Sequence, residues 1–425
     1  MSSTAQVLLN RRMLATLLLG FSSGIPLALT GSTLQAWMHA EKVDLTLIGI
    51  FSLVGLPYTL KFIWAPAMDR YMPPFLGRRR GWILLTQLAL IVLLSVMAFS
   101  KPFEQPVLLA ILAFLVAFAS ASQDIVIDAY RTELLQPEEF GTGAATANMG
   151  YRLAMLFSGA FALILSDQMP WKAVYLVMAA TMAVGMIVTF FAPELDGHVK
   201  LPRTLKEAVV QPFKDFFQRK GIADLLAFII LYKLDVVVAM ALMTPFMLEL
   251  GFTRTEIGAV SKGFGLVASI SGTFVGGLWM SRIGLQRALW VFGILQGISG
   301  FTFYLLAHMG RNYAMMATTI ATENFLSGMG NAAYAAFLMS LCNPQFTATQ
   351  FALLSSLMAL TRTVAGAPTG WLVQAVGWEM YFIVSILLAI PALLLLPRYK
   401  IWMERKEQAI PTATSPRSVD QGEDS

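Results

Sequence analysis

Charged side chains stand inside a stretch that is otherwise oily. Asp124, Asp128 and Arg131 lie in SQDIVIDAYRTELL, at the end of an apolar run that begins near Val107. Their spacing of i, i+4, i+7 puts them on one face of a helix. Charges in a membrane helix are rare and face a bundle interior or a water-filled cavity, so a functional site is the default reading. Two further polar clusters, around Arg152 and around Glu323, are expected to converge on the same interior.

Composition says what kind of element must position these groups. The 425 residues are 57% hydrophobic and only 13% charged, against about a quarter charged in ordinary soluble domains. The single cysteine, Cys342, excludes a disulfide framework and a multi-cysteine metal site. His39, His198 and His308 fall in predicted loops or helix ends, so neither a metal nor a cofactor is expected.

Runs of roughly 20 apolar residues, enough to cross a bilayer, recur twelve times. Six precede a polar, proline-bearing stretch: Met13–Trp37, Leu45–Ala65, Trp82–Ser100, Val107–Tyr130, Gly141–Ser166 and Trp171–Phe191. Six follow it: Ile222–Leu248, Thr255–Met280, Ala288–Ala307, Asn312–Leu341, Thr349–Val376 and Met380–Leu396. The expected fold is therefore an all-α membrane protein with twelve transmembrane helices in two six-helix bundles. The bundles take residues 1–192 and 222–397, joined by a linker at 193–221. Residues 398–425, charged and then rich in Ser, Thr and Pro, are expected to be a disordered tail.

Positive charge fixes the expected orientation. Arg11, Arg12, Arg70, Arg78 to Arg80, Arg131, all the linker lysines and arginines, Arg282, Arg287 and Arg398 fall on the side of both termini and the linker. The other side holds only Lys42, Lys101, Lys172, Arg254 and Arg311. Both termini and the linker are thus expected in the cytoplasm. The net charge of +5 is mostly this bias and requires no nucleic-acid partner. The linker's LKEAVVQPFKDFFQRKG suits an amphipathic helix on the inner leaflet.

An internal repeat supports the split. APAMDRYMPPFLGRRRGW follows the second run and GGLWMSRIGLQRAL ends the eighth, while Thr46-Leu47-Ile48-Gly49 matches Thr255-Glu256-Ile257-Gly258. Repeated halves are the mark of a transporter whose two bundles rock about a central site.

Depth sorts the charges. Arg152 is roughly eleven residues into its helix, so about 16 Å deep, near the midplane of a core about 30 Å thick. Lys233, Asp235, Glu323 and Arg362 lie at similar depth by the same count. An arginine cannot shed its charge, so Arg152 needs either a structural carboxylate or a carboxylate of the substrate. Gln123 and Asp124 suit substrate contact or structural hydrogen bonding equally, and Lys233, Asn324 and Arg362 are placed with the substrate contacts. Lys233 and Asp235, two apart, point to different sides of one helix and should not pair directly. Lys61 and Lys262 lie nearer the membrane faces, where snorkelling accounts for them. Gly20, Gly24, Gly328 and Gly330 are expected to let helices approach closely. Glu323 is the expected proton carrier, since a carboxyl at midplane is poorly hydrated and has no basic residue within a helical turn; Asp235 is the alternative.

The loop Asp69-Arg70 with Gly77 to Arg80 resembles the loop between the second and third helices of the major facilitator superfamily. In that family the aspartate, the arginines and an acidic residue at the end of the fourth helix form a charge relay that latches one conformation. The resemblance implies a latch of Asp69, Arg70, Arg78, Arg79 and Arg80, with Asp128 as the acidic partner. The second copy has Ser281 where the aspartate would stand.

A narrower resemblance runs through most of the chain. GFSSGIPLALTGSTLQAW, MDRYMPPFLGRRRGW, SASQDIVIDAY, GYRLAMLFSG, YKLD, ENFLSGMGNAAYAAFLMSLCN and FTATQFALLSSL are similar to the AmpG family of muropeptide permeases. That resemblance implies proton-driven import of N-acetylglucosaminyl-1,6-anhydro-N-acetylmuramyl peptides across the bacterial inner membrane for peptidoglycan recycling. Muropeptide, protons and the lipid bilayer are then the partners, and a monomer is expected. A drug/proton antiporter would share the latch loop, but Arg152, Lys233 and Arg362 argue for an anionic substrate. A membrane-embedded enzyme on lipid-linked sugars would have only Asp124 and Asp128 as a catalytic pair, with no histidine near.

Overall fold

The computed structural model describes residues 10–44, 47, 51–195, 204–366 and 368–404, and among them every regular element is helical. Helix α1 spans Arg11–Ala40, with a break at Gly31 rather than at the internal Pro26. The second run, α2, is a chain of short turns at Phe51–Gly55, Leu56–Leu60, Lys61–Ile63 and Ala65–Arg70. Then come α3 (Gly77–Met97), α4 (Pro106–Leu134), α5 (Pro137–Ser166) and α6 (Trp171–Phe191). The linker folds into α7, Leu205–Phe217, capped by the Thr204 side chain, which accepts from the Glu207 N–H. After it stand α8 (Ile222–Glu249), α9 (Glu256–Ile283), α10 (Leu285–Met309), α11 (Tyr313–Leu341), α12 (Thr347–Gly366) and α13 (Thr369–Met403). The turn that separates the eleventh run from the twelfth falls at Gly377, whose φ of 75° suits glycine.

Nine of these helices are long and apolar enough to cross a membrane. Those below that measure are the linker helix α7 and, among the expected spans, α2, α11 and α12, and for these the reason is local. The second is broken into turns, while α11 carries Thr318, Thr319, Glu323, Asn324, Ser327, Gly328, Gly330 and Asn331. Helices that face a neighbour or a cavity instead of lipid have no need of an apolar surface all round. A belt of exposed apolar side chains, among them Val92, Val107, Ile111, Ile187, Ile298 and Leu394, covers the opposite faces.

Glycines bring the main pairs together. A Cβ on Gly20 would lie 2.5 Å from the Ala147 carbonyl oxygen, and one on Gly24 the same distance from that of Tyr151, so α1 and α5 meet backbone to backbone. Gly328 makes the equivalent approach to Ser269 and joins α11 to α9. Helices α5 and α9 each hold one π-turn, Phe157–Phe161 and Ser261–Gly265. Such turns bend a helix and are frequent at functional positions.

The residues before the linker meet those after it on the side where α1 begins and α7 lies. There Gly277 sits against Ala145 and Gly141, and Gly141 sits against Met280. Deeper along this seam Asn148 donates to Thr273 at 3.1 Å. Helix α12 packs on α2 and α4 beside it. No comparable contact joins α1 to α8 among the described residues, so the molecule is closed at the linker side.

Candidate functional site

The closed seam is tied by a buried ionic cluster. Asp69, with no exposed side-chain surface, accepts from the backbone N–H of Thr349 at 2.8 Å, from its hydroxyl at 2.7 Å and from the Ala348 N–H at 3.3 Å. These donors form the first turn of α12, where the helix dipole adds to the attraction for a carboxylate. Arg79 holds Asp69 in place at 2.8 Å and also pairs with Glu133 at 2.6 Å. Arg78 reaches Glu133 at 3.0 Å and the Pro344 carbonyl at 3.4 Å. The linker joins the same knot, since Gln350 donates to Asp215 of α7 at 2.7 Å.

Glu133, not Asp128, is therefore the acidic partner of Arg78 and Arg79. Glu133 lies five residues beyond Asp128, at the very end of α4 where loop arginines can reach it. Asp128 pairs instead with Arg131 at 2.9 Å and Lys61 at 3.8 Å. Lys61 is buried, so it does not snorkel. Arg80 donates to the Ala192 carbonyl at 3.0 Å and so ties α3 to the end of α6. Arg70 lies 5.6 Å over the Tyr71 ring.

Above the seam, Asp124 accepts a hydrogen bond from Ser23 of α1. Lys61, Asp128 and Arg131 lie close enough to act on its charge, and Tyr58 and Tyr151 lie close enough to feel it. Gln123 points elsewhere. It is fully buried and donates to Ser22 at 2.9 Å, and Gln87 donates to the same hydroxyl at 3.3 Å. Thr189 of α6 donates to Gln87 at 3.0 Å and completes a neutral knot inside the first half. Gln123 thus holds the structural place of its two expected roles.

Arg152 has no carboxylate partner among the described residues, and its Nε is buried without an acceptor. That leaves a guanidinium whose fixed fork is open to a planar anion. Of its two expected roles, structural pairing is absent. Asn324 donates to the Ile320 carbonyl of its own helix and borders the π-turn of α9 at Gly265. Arg362 lies on α12, but its side chain, like that of Lys262, is outside the described residues, as are His198 and Thr46.

The second half carries a charged knot. Lys233 stands at a break in α8, between Ile222–Leu231 and Leu234–Ala241, and donates to Gln296 Oε1 at 2.8 Å. The Gln296 amide nitrogen donates to both Asp235 oxygens, at 3.2 and 3.3 Å. Lys233 and Asp235 are thus bridged rather than in direct contact. Gly330 makes room for this, since a Cβ there would lie 2.3 Å from Gln296 Oε1. Glu323, also buried, meets Ser299 of α10 at 2.5 Å and shares with Asp235 a cavity of about 10 Å³. The expected convergence of Glu323 on Asp124 is not seen. Glu323 turns into its own half toward α8, α10 and α13, because their polar side chains lie on that side. Among the described residues no group of three His, Cys, Asp or Glu side chains is placed to hold a metal.

Comparison with known proteins decides the family. The model of the Major Facilitator Superfamily matches residues 13–366 and, overlapping, 234–419. The chain belongs to the Major Facilitator Superfamily. Within it, the chain is 49% identical over 382 residues to the anhydromuropeptide permease of Escherichia coli (strain K12), covering 89% of this chain and 78% of that one. It is 34% identical to a putative transporter, AmpG 4, of Rickettsia felis, over 91% of this chain and 95% of the other. A solved proton:xylose symporter shares the fold at a TM-score of 0.66 and 11% identity, covering 94% and 96% of the two chains. The human organic anion transporter MFSD10 does so at 0.66 and 15%, covering 93% and 100%.

Glu133, Gln296 and Ser299 were missed in the sequence. A further facilitator-type aid was available for Gln296. It stands as far beyond Thr255 as Gln87 stands beyond Thr46, so the repeat itself marks both glutamines as counterparts.

Proposed function

We propose that the chain imports anhydromuropeptides from periplasm to cytoplasm across the bacterial inner membrane, driven by the proton gradient. The observation that carries this reading is the 49% identity to the Escherichia coli anhydromuropeptide permease over 89% of the chain. The unpaired guanidinium of Arg152 supports it, because a muropeptide stem bears carboxylates that an arginine fork matches. The bias of lysine and arginine toward the linker side supports a cytoplasmic linker and cytoplasmic termini. On that orientation the closed side is cytoplasmic and the conformation described faces the periplasm. Residues 1–192 and 222–397 then rock about the seam, with the linker as tether and the chain acting as a monomer.

In this reading Arg152, Asp124 and Asn324 face the substrate, and Glu323 with Asp235 couples the proton. Asp69, Arg79, Arg78 and Glu133 latch the cytoplasmic side. The chain moves its solute without chemical change and is no enzyme. Uptake of labelled anhydromuropeptide into right-side-out vesicles tests this, with and without a proton gradient. Gradient-dependent accumulation is expected. Equal uptake after the gradient is collapsed removes the proton, and no uptake at all removes the substrate.

A further inference from the structure

The ionic cluster of the seam borders a cavity of about 1150 Å³ with walls from both halves and from the linker. The first half contributes the start of α3 and Glu133, the second contributes Met339 and Pro344, and the linker contributes Arg219. The whole first turn of α3, from Leu76 to Arg80, lines it. No side chain caps that turn, and it holds no acidic residue. The first N–H groups of a helix have no partner within the helix, and with the dipole they favour an anion. Room for one is present, since a Cβ on Gly77 would meet nothing within 4 Å.

Water alone can satisfy a helix start, but a second observation points to a ligand. The Arg78 side chain is only 9% exposed. Its Nη2 donates to Glu133 and to the Pro344 carbonyl, while its Nη1 is buried with no acceptor. Trp402, in the same wall, also has a buried Nε1 with no acceptor. Buried donors left unpaired are costly, and a guanidinium suits a phosphate as well as a carboxylate. Among the described residues, the charged side chains of the lining are Arg78, Arg79, Arg80 and Arg219 against Glu133 and Glu194, the last largely exposed. Asp69 and Asp215 pair with Arg79 and Arg219 from outside the lining.

Size argues for more than a bare ion. Pockets for small organic molecules span roughly 300–1000 Å³, and Phe140, Met339 and Trp402 give this one an apolar surface.

We propose that this cavity binds a phosphate carried on an organic body, with the phosphate at the start of α3 beside Arg78. The walls stand together only while the seam is shut, as the reach of Arg78 to Pro344 across the halves requires. A ligand of the closed form alone stabilises that form by linkage. Such an anion therefore holds the chain in the conformation described and slows its turnover. The import reading enters only in naming the compartment, the cytoplasm, from which the ligand arrives. A soluble phosphate ester and a phospholipid headgroup share this chemistry.

The experiment is calorimetric titration of phenyl phosphate and inorganic phosphate into the purified full chain in non-ionic detergent, with phenol as the control for the apolar wall. Phenyl phosphate should bind more tightly than either of the others. Arg78→Gln should weaken it roughly tenfold or more, the effect of one charge-assisted bond. Because Arg78 also ties the seam, Leu76→Asp and Leu76→Asn form a second pair. Both residues tolerate the left-handed backbone found at Leu76 (φ 55°), and they differ in one charge at the start of α3. The aspartate should lose roughly tenfold in affinity, and the asparagine should stay within about twofold of the parent. Maleimide labelling of Ala145→Cys, covered by Gly277 while the seam is shut, should slow with phenyl phosphate in a background with Cys342 replaced. Phosphatidylcholine vesicles with and without phosphatidylglycerol separate the two sources. Slower labelling with phosphatidylglycerol, lost in Arg78→Gln and without binding of soluble phosphates, assigns the site to a headgroup. Neither soluble binding nor a lipid effect overturns the proposal, as does binding that Arg78→Gln and Leu76→Asp leave unchanged. Binding that does not slow labelling overturns the preference for the closed form. Binding is read without transport, so its failure leaves the import reading standing, and failure of muropeptide uptake leaves the site standing.

Discussion

Asp69→Asn tests the latch with little change of shape. Asp69 receives three hydrogen bonds from Ala348 and Thr349 across the seam and one ion pair from Arg79 within its own half. Asparagine keeps one oxygen and replaces the other with an N–H₂ that faces donors. Hydrogen bonds to a charged acceptor contribute about 1.5–3 kcal/mol each. The full cost of stranding a buried charge, about 3–5 kcal/mol, does not apply, because Arg79 keeps Glu133 at 2.6 Å. Losing one to two bonds across the seam therefore weakens the closed state by about 3 kcal/mol, which is roughly a hundredfold in the closed-to-open ratio. The assay is maleimide labelling of Ala145→Cys, a position covered by Gly277 only while the seam is shut, in a background with Cys342 replaced. Labelling should rise steeply in Asp69→Asn and stay at the parent level in Asp128→Asn, whose partners Lys61 and Arg131 lie in the same half. Equal labelling in Asp69→Asn and parent would refute the latch. A rise in Asp128→Asn as large as in Asp69→Asn would refute the choice of Glu133.

Arg152→Lys should cost roughly tenfold in affinity for peptide-bearing muropeptides, the worth of one charge-assisted bond, and little for the bare disaccharide; equilibrium binding of both ligands checks it. Glu323→Gln keeps an oxygen that can accept from Ser299 and removes the titratable group, so exchange of muropeptide should survive and accumulation against a gradient should be lost, as counterflow and uptake assays would report. Gly24→Ala forces a methyl to 2.5 Å from the Tyr151 carbonyl and should destabilise the chain by about 1–3 kcal/mol. Its thermal unfolding midpoint in detergent should fall, while that of Gly258→Ala, with nothing within 4 Å, should not.

What could be read in advance follows physical range. Most helix positions were legible because nine of the spans carry their own roughly 20 residues of apolar sequence; Trp171–Phe191 is met residue for residue. The glycine approaches were legible for a similar reason, since a small residue at a close crossing needs no knowledge of which helix lies opposite. Charge partners were not. Asp128 and Glu133 are both acidic and both near the end of α4, and only the reach of Arg78 and Arg79 from the next helix decides between them. Depth along a helix can be counted, but rotation about it cannot, so the side to which Glu323 turns was not legible. Rotation is set by neighbours, here Ser299 from one helix and the Asp235 cavity from another. The same limit explains Gln123, which stands beside Asp124 in sequence yet faces away from it, into a knot that only α1, α3 and α6 together complete. A repeat partly lifts the limit. Two residues that correspond between halves should occupy corresponding faces, so the side chains around Gln87 and Gln296 can be compared directly. Where the first half has a hydroxyl, the second has an ammonium and a carboxylate. A difference of that kind is costly in a low-dielectric interior, and the proposed proton coupling is the use that would justify the cost.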